Sequence, residues 1–450
     1  MSTIPSYGNE LKQLLRLMLP ILLTQFAQAG FGLIDTVMAG QISASDLAAI
    51  AIAVGIWLPT MLLCTGILMA TSPLIAEAKG AKNLGNIITI THQSLWLAIF
   101  IGIIGMLVLH ATPVFFDLLK IPENLHAKAA LFLHSIAFGI PAMTLYTVLR
   151  CYSEALGHPR PVTVISLIAL PILIPLNALF MYGFGPIPAM GGAGAGLSNA
   201  ILQWAMLLVL IAFVKKSHLY RDYRLFSQFE RLDTTWMKRL LTLGFPIGLA
   251  VFFEVAIFSA GALIVGPLGD TVIAAHQIAI SITSQLFMIP FSLALALTIR
   301  VGLYYGEQNW LSMIRVQKLG LMVATVFALG TMLVLALGRS WIIHQYNKDP
   351  LVFDVAFGLV MYAIAYQLID AWQVASAGCL RGMQQTQAPM WITLFAYWGI
   401  AFPIAVYLTR YTNIGAAGVW IGLLSGLFLA SILLVSRLVM VNKRLLVASS

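Results

Sequence analysis

The stretch "LPILLTQFAQAGFGLIDTVMAG", residues 19–40, is an apolar run that contains one acidic residue, Asp35. Its pattern returns as "FPIGLAVFFEVAIF", residues 245–258, where the acidic residue is Glu254. The two runs align at an offset of 226 residues. A long internal repeat carried on apolar segments is typical of membrane proteins built from two related halves.

The composition places the chain in a membrane. Of its 450 residues, 60% are hydrophobic and only 9% are charged, and the mean hydropathy is +0.93. Soluble domains carry roughly 25% charged residues and need a largely polar surface. We therefore expect an integral membrane protein, whose first apolar run is an uncleaved span because many similar runs follow it.

Twelve apolar runs are long enough to cross about 30 Å of hydrocarbon as helices. They begin near Leu14, Leu47, Ile88, Ala129, Val162, Gly194, Leu240, Val272, Val316, Val352, Met390 and Ala416. When loops are assigned alternately to the two sides, 20 of the 25 Lys and Arg residues fall on one side. Basic residues concentrate in cytoplasmic loops, so both termini are predicted to be cytoplasmic.

The repeat divides the chain into an N-terminal lobe (1–214, helices 1–6), a linker (215–239) and a C-terminal lobe (240–450, helices 7–12). The offset of 226 also superposes Gly40 on Gly266, Leu47 on Ile273 and Gly80 on Gly306. Because each half has an even number of spans, the halves are expected to share one orientation, related by an axis along the membrane normal. The polar linker is expected to be cytoplasmic, either with a short surface helix or as a plain loop.

Three acidic residues, Asp35, Glu254 and Asp370, lie inside predicted spans. A charge at the centre of a membrane helix costs roughly 2.5–3.5 kcal/mol, so such residues face a protein interior or a watery cavity. Structural roles remain open for each: a polar helix end for Asp35, and a buried hydrogen-bond network for Asp370. Gln28 shares a helix face with Asp35, and at the offset of 226 it falls opposite Glu254.

Further polar and aromatic positions accompany the acids. Gln367 and Gln373 lie three residues before and after Asp370, and Phe258 lies one turn after Glu254. These three residues are expected to line the substrate cavity. An aromatic ring can contact a bound cation, although packing is the commoner role. A buried carboxyl group can hold a proton, and carboxylate and amide oxygens suit a hard cation such as Na⁺. Since no Lys or Arg is expected inside the spans, the substrate is predicted to be cationic or neutral.

The residues resemble those of one family in particular. The segments "LPILLTQFAQAGFGLIDTVMAG", "EALGHPRPV", "FPIGLAVFFEVAIF", "GDTVIAAHQIAISI" and "DAWQVASAGCLRGMQQTQAP" are similar to those of the multidrug and toxic compound extrusion (MATE) family, in its NorM branch of bacterial efflux pumps. The resemblance covers the whole chain. It implies an all-α polytopic membrane protein with twelve transmembrane helices in two pseudo-symmetric six-helix bundles.

The resemblance also implies roles for individual residues. Glu254 and Asp370 would form the coupling-cation site, with Na⁺ as one candidate ion, and Asp35 would contribute to cation or drug binding. Gln28, Gln277 and Asp349 match drug-contacting positions of relatives, although Asp349 could equally be a solvated loop residue. Some sodium-using relatives carry a tyrosine on helix 8 where this chain has Phe287. Because of this difference, H⁺ remains a candidate coupling ion beside Na⁺.

The resulting hypothesis is a monomeric antiporter of the bacterial inner membrane that exports amphipathic, mostly cationic drugs in exchange for Na⁺ or H⁺. It would need no cofactor and no nucleic acid. One alternative is a flippase for lipid-linked precursors, which should have a cationic cavity. Another is a cation channel, which should repeat its acids by symmetry. An enzyme is not expected, because neither a metal cluster nor a nucleophile with a base is found in the sequence.

Overall fold

The computed structural model describes residues 6–118, 120–227 and 229–449, without the side chain of Ser449. Helices make up nearly all of this part of the chain, and one isolated β-bridge joins Phe184 to Ile187. The α-helices are α1 (Tyr7–Ile42), α2 (Ala44–Leu68), α3 (Thr71–Gly80), α4 (Leu84–Ala111), α5 (Glu123–Ala137), α6 (Ile140–Ala155), α7 (Arg160–Tyr182), α8 (Gly194–Lys216), α9 (Thr234–Val265), α10 (Asp270–Gly306), α11 (Trp310–Tyr346), α12 (Pro350–Gly382), α13 (Gln387–Leu394), α14 (Phe402–Tyr411) and α15 (Ala417–Ser449).

The helices confirm the predicted spans. Within the described residues, 11 segments are long and apolar enough to cross a membrane, and the number reaches 12 when the bent pair of α5 and α6 counts as one. That pair bends by 42° at its break. A π-helix, Phe395–Ala401, joins α13 to α14 within a single span, Gln387–Tyr411.

The chain forms two compact units. The N-terminal unit is Pro20–Gly248, and the C-terminal unit joins Met1–Leu19 to Leu249–Ser450. The predicted division at residues 214 and 240 therefore differs from these units at α1 and α9. The sequence repeat marks where the duplication begins, whereas packing decides which residues form a unit. In this packing the start of α1 belongs with the C-terminal unit, and the linker belongs with the N-terminal unit.

Matched backbone features show the duplication in the structure. Asn83 caps α4 by accepting a hydrogen bond from the backbone N–H of Asn86 at 3.0 Å. Asn309 lies 226 residues later and caps α11 by accepting from Ser312 at 3.1 Å. The residue before each cap has a positive φ, 55° at Lys82 and 54° at Gln308. The two halves therefore share local structure as well as sequence pattern.

Proline lies inside several helices without ending them. In α1, the carbonyl of Pro20 accepts hydrogen bonds from the hydroxyls of Thr24, at 3.0 Å, and Thr163, at 2.8 Å. Membrane helices tolerate proline where nearby side chains satisfy the freed backbone groups in this way. The same two threonines bond to each other at 3.0 Å, which ties α1 to α7.

The linker is more ordered than a plain loop. A 3₁₀ helix spans His218–Tyr223, and α9 already begins at Thr234. Tyr220 and Leu225 are buried in the apolar core of the N-terminal unit. Of the two readings left open by the sequence, the structure therefore supports a short helix on a packed linker.

Candidate functional site

The C-terminal unit gathers two of the predicted acids into one polar cluster. Glu254 comes from α9, and Asp370 and Gln373 lie one turn apart on α12. Asp370 is 1% exposed and Gln373 is 2% exposed. Gln373 interacts with Glu254, and the carboxyl groups of Glu254 and Asp370 interact electrostatically. The spacing of Asp370 and Gln373 on one helix face thus brings both side chains to Glu254.

Two buried tyrosines complete this cluster. The hydroxyl of Tyr397, on the π-helix, donates to Gln373 Oε1 at 2.8 Å. Tyr366, one turn before Asp370, interacts with its carboxyl group. Its ring also meets that of Phe258 edge-on, with centroids 6.1 Å apart. We call Glu254, Tyr366, Asp370, Gln373 and Tyr397 the carboxylate cluster.

The carboxylate cluster has unused capacity to bind a cation. Among the described residues, Glu254 Oε1 and Asp370 Oδ1 are buried without a hydrogen-bond partner. Leaving a buried polar atom unpaired costs about 1–3 kcal/mol, so such atoms need an explanation. A proton satisfies a carboxylate oxygen directly, and a hard cation satisfies several oxygens at once.

The expectation that no Arg or Lys is buried in the spans is wrong. Arg300 in α10 and Arg381 in the last turn of α12 are each only 8% exposed. Arg381 interacts electrostatically with Glu254. Its Nε atom has no hydrogen-bond partner among the described residues, and no ion pair to Glu254 is recorded there. Thus Glu254 has a basic group nearby but is not neutralised by a close contact.

The length of the helices explains why Arg300 and Arg381 are buried. The sequence interpretation ended each span after about 20 residues, the length that crosses the hydrocarbon. In the structure α10 has 37 residues and α12 has 33, so both extend well past that thickness. Arginines that the sequence assigns to loops are therefore buried in the packed ends of helices.

The N-terminal unit holds Asp35 in a separate polar site. Asn177 Nδ2 of α7 donates to one carboxylate oxygen and Asn199 Nδ2 of α8 to the other, each at 2.7 Å. Asp35 is 8% exposed and Asn177 is fully buried. Amide N–H groups donate to an ionised carboxylate, so this arrangement holds Asp35 between α7 and α8 with both of its oxygens occupied.

Gln28 and its helix face also lie in this unit. Gln28 Oε1 accepts from Arg150 Nη1 at 3.4 Å, and Gln25 Oε1 is buried without a partner among the described residues. Arg150 interacts electrostatically with Glu154, one turn further along α6. The predicted polar stripe of α1 therefore faces polar residues of α6 and α7.

The remaining predicted residues have contacts of other kinds in the C-terminal unit. Gln367 is buried, accepts from Thr331 Oγ1 at 3.4 Å and lines a small pocket in the C-terminal unit together with Pro290 and Ala371. Gln277 is exposed. Phe287 stacks on Phe291 with centroids 5.6 Å apart. Drug contacts by Gln277 and Gln367 stay predictions.

Asp349 caps a helix. It is exposed, and its Oδ1 accepts from the backbone N–H of Leu351 at 2.9 Å at the start of α12. Asp370 lies 21 residues further along the same helix, which is about 31 Å at 1.5 Å per residue. Asp349 therefore does not belong to the carboxylate cluster, and its proposed contact with a drug stays a prediction.

Three further acids are buried, and each has a basic residue beside it. Glu10 pairs with Arg300 at 2.8 Å, Asp46 pairs with Lys128 at 2.9 Å, and Glu154 has Arg150 as its electrostatic neighbour. No group of three or more His, Cys, Asp or Glu residues placed to hold a metal ion occurs in the described part of the chain. Among the described residues, no basic side chain pairs with Asp35 or Asp370 in this way, whereas Glu254, like Glu154, interacts electrostatically with an arginine.

Sequence reasoning missed several members of these sites. Tyr366 had a visible signal, because it lies four residues before Asp370 on the same helix face. Asn177 and Asn199 were visible as polar residues in apolar runs. Tyr397 and Arg381 had no local signal, since their relation to Glu254 comes from packing between helices distant in sequence.

Comparison with known proteins gives consistent results. The model of the MatE family matches residues 20–179 and again residues 246–407. The starts of the two matches are 226 residues apart, as in the repeat. The chain is 58% identical over 445 residues to the probable multidrug resistance protein NorM of Acinetobacter baylyi, covering 99% of each chain.

More distant relatives cover the chain equally well. The probable multidrug resistance protein NorM of Shewanella oneidensis is 40% identical, covering 97% of this chain and 96% of its own. Among solved structures, the eukaryotic MATE transporter AtDTX14 has a TM-score of 0.88 at 19% identity, covering 98% of this chain and 99% of its own. At that identity the structural similarity supports the fold alone.

Proposed function

Since the chain belongs to the MatE family, whose members are membrane transporters rather than enzymes, we propose that it is a multidrug antiporter that exports amphipathic, mostly cationic drugs in exchange for Na⁺ or H⁺. The names of its relatives as multidrug resistance proteins support drug export. The single observation that supports cation coupling is the pair of buried, unpartnered carboxylate oxygens on Glu254 and Asp370.

In this proposal the carboxylate cluster binds the coupling cation. The negative charges of Glu254 and Asp370 repel each other when both are ionised, so a proton or Na⁺ between or upon them relieves that repulsion. Gln373 and the tyrosine hydroxyls orient the carboxyl groups and offer further oxygen atoms. A cation that binds one conformation better than the other then shifts the equilibrium between them, and the drug shifts it back.

Asp35 is proposed as a second cation-sensitive group. Two amide N–H donors stabilise its ionised form, and protonation would break one of the bonds from Asn177 or Asn199. Such a change alters how α1 is held against α7 and α8. Gln28, Gln277, Asp349, Phe258 and Gln367 are proposed to take part in drug contact or to shape the surface that the drug meets.

The flippase alternative depended on a cationic interior. Buried arginines do exist, yet Arg300 is paired with Glu10, and the charges of Arg150 and Arg381 each act on a nearby glutamate. Among the described residues, these three arginines therefore leave no unopposed positive charge in the interior that would bind a lipid phosphate. The acids of the two units also do not fall at corresponding positions of the repeat, since Glu254 lies opposite Gln28. This argues against a channel with a symmetric ring of charges.

We further propose that the protein works as a monomer in a bacterial inner membrane with both termini in the cytoplasm. The positive-inside distribution of Lys and Arg supports this orientation. A reporter fused to the C-terminus, active only in the cytoplasm or only outside it, tests the orientation. Activity of the reporter outside would reverse the assignment.

The function is tested by drug export from proteoliposomes with one imposed gradient at a time. We expect accumulated dye such as ethidium to move against its gradient when either a Na⁺ or an H⁺ gradient is applied, but not with an ATP supply alone. The gradient that drives export identifies the coupling ion. Dye movement that follows neither gradient would contradict antiport.

A further inference from the structure

The linker is fixed to the N-terminal unit by side chains of α4. His92 and Gln93, both fully buried, and Trp96 reach backbone carbonyls of the linker. The bonds join His92 Nε2 to the Leu225 carbonyl at 2.7 Å, Gln93 Nε2 to the Arg231 carbonyl at 2.7 Å, and Trp96 Nε1 to the Glu230 carbonyl at 3.1 Å. Backbone held at both ends in this way presents its outward side chains in a defined arrangement.

Trp96 indicates the depth of the linker in the membrane. Phe100, on the next turn of α4, is 45% exposed and begins a stripe of exposed apolar residues that includes Ile104 and Leu107. From Trp96 to Phe115, where this span ends, is roughly 29 Å at 1.5 Å per residue, close to the hydrocarbon thickness. Trp96 thus lies at one membrane–water interface, where tryptophan is enriched.

The linker lies beside Trp96 and therefore at the same level. The ring of Phe229 meets Trp96 edge-on with centroids 5.5 Å apart, and Trp96 stacks on Phe100 at 6.4 Å. Phe229 thus extends the aromatic surface of α4 onto the linker. A side chain at this level faces phospholipid headgroups rather than bulk water.

Two arginines and two apolar side chains point outward here. Phe229 is 49% exposed and Leu232 is 41% exposed, and Arg224 and Arg231 are also exposed. We call these four residues the linker patch. Residues 215–239 carry seven basic and three acidic residues, so the surroundings are positive as well.

The arginines of the linker patch are held by their neighbours. Arg224 directly precedes Leu225, whose carbonyl is bonded to His92, and the carbonyl of Arg231 is itself bonded to Gln93. The acid next to Arg231, Glu230, accepts a hydrogen bond from Thr89 Oγ1 at 3.0 Å. The backbone at Arg224 and at Arg231 is therefore held in place before any ligand binds.

We propose that the linker patch binds the phosphate of anionic phospholipid headgroups in the leaflet that it faces. Guanidinium groups bind phosphate through paired N–H donors, while exposed Phe and Leu side chains enter the upper acyl region. Anionic lipid is favoured over zwitterionic lipid because only the former leaves a net negative charge for two arginines. This inference requires only that the chain spans a membrane and does not depend on the proposed antiport.

The first test places a spin label at Leu232→Cys in the full-length protein. The three native cysteines, Cys64, Cys151 and Cys379, are buried, so the label is selective. In vesicles of phosphatidylcholine mixed with phosphatidylglycerol we expect the label to be less mobile and less accessible to a water-soluble relaxation agent than in phosphatidylcholine alone. A label equally mobile and equally accessible in both vesicles would overturn the proposal and leave the patch to another partner.

The second test measures binding of short-chain phosphatidylglycerol to the labelled protein in detergent. Each basic residue near an anionic surface contributes about 1 kcal/mol, so Arg224→Gln with Arg231→Gln should weaken binding about thirtyfold. The control pair, Lys443→Gln with Arg444→Gln, removes the same charge from other exposed positions and should change binding less than threefold, an allowance of about 0.6 kcal/mol. Equal weakening by both pairs would show unspecific charge attraction and contradict a defined site.

Discussion

Two acids in the C-terminal unit, Glu10 and Asp370, have the same burial and opposite surroundings. Glu10 is 1% exposed, and its two oxygens accept three hydrogen bonds, from Arg300 Nε and Nη2 at 2.8 Å and from the Tyr304 hydroxyl at 2.7 Å. Asp370 is also 1% exposed, but one of its oxygens has no partner among the described residues. Burial alone therefore does not distinguish these two carboxylates, whereas their unsatisfied hydrogen-bonding capacity does.

The comparison suggests a division of roles. An acid whose oxygens are saturated by a buried arginine holds the start of α1 in the C-terminal unit and is not available to a ligand. An acid that keeps a free oxygen in the interior is destabilising until something binds it, and this is expected of a site that alternates between loaded and empty states. The predictions below test that division.

The largest effect on stability is expected from Glu10→Gln. The variant leaves the buried guanidinium of Arg300 without its countercharge, and breaking a buried ion pair costs about 3–5 kcal/mol. Thermal unfolding of the purified protein in detergent measures the loss. The exposed Glu307→Gln is the control and should unfold like the wild type. Equal melting temperatures for both variants would refute the structural role of Glu10.

Asp370→Asn should reduce transport rather than stability. Because no basic residue pairs closely with Asp370, removing its charge should leave stability within about 1 kcal/mol of the wild type or raise it. Gradient-driven dye export should fall about 100-fold, the upper range of coupling between two ligands. Asp354→Asn, at an exposed position on the same helix, serves as the control. A strongly destabilised but active Asp370→Asn protein would reverse the assigned roles.

A smaller effect is expected from Tyr397→Phe. The variant leaves Gln373 Oε1 without the hydroxyl that donates to it at 2.8 Å. An unpaired buried acceptor costs about 1–3 kcal/mol, so the coupling ion should bind about tenfold more weakly. The ion concentration that gives half-maximal export measures this shift. Tyr407→Phe, 61% exposed, should leave that concentration unchanged, and a shift of equal size in both variants would exclude a role specific to Tyr397.

The smallest effect is expected at Asp349. Replacement by Ala removes the cap of α12 and should cost about 1 kcal/mol, while Asn keeps the cap and removes the charge. We expect Asp349→Asn to retain both stability and dye export. Loss of export by Asp349→Asn at full stability would instead show that the charge meets the drug, as the family resemblance implies.

Much of this architecture follows from local sequence. Apolar runs and the offset of 226 predict the spans and the duplication, because lipid requires long apolar helices and duplication preserves caps such as Asn83 and Asn309. The three acids inside the spans are visible for the same reason. Each places a group that is energetically costly in lipid within an apolar segment.

The partners of the acids are set by packing between distant helices and are therefore difficult to predict from local sequence. No Lys or Arg lies within ten residues of Glu254 in the sequence, yet Arg381 acts on it from another helix. Glu10 and Arg300 are 290 residues apart and look like ordinary cytoplasmic charges in the sequence. Only the structure shows that the carboxylate oxygens of Glu10 are saturated with hydrogen bonds, whereas one oxygen of Asp370 has no partner among the described residues.

The central claim is that the unpaired carboxyl groups of the C-terminal unit bind the coupling cation. The most direct test is ion-gradient-driven drug export by Glu254→Gln in proteoliposomes, with Glu307→Gln as the control and drug binding measured in parallel. We predict that Glu254→Gln still binds the drug but exports it no faster than protein-free liposomes under either a Na⁺ or an H⁺ gradient. Undiminished gradient-driven export by this variant would contradict the claim.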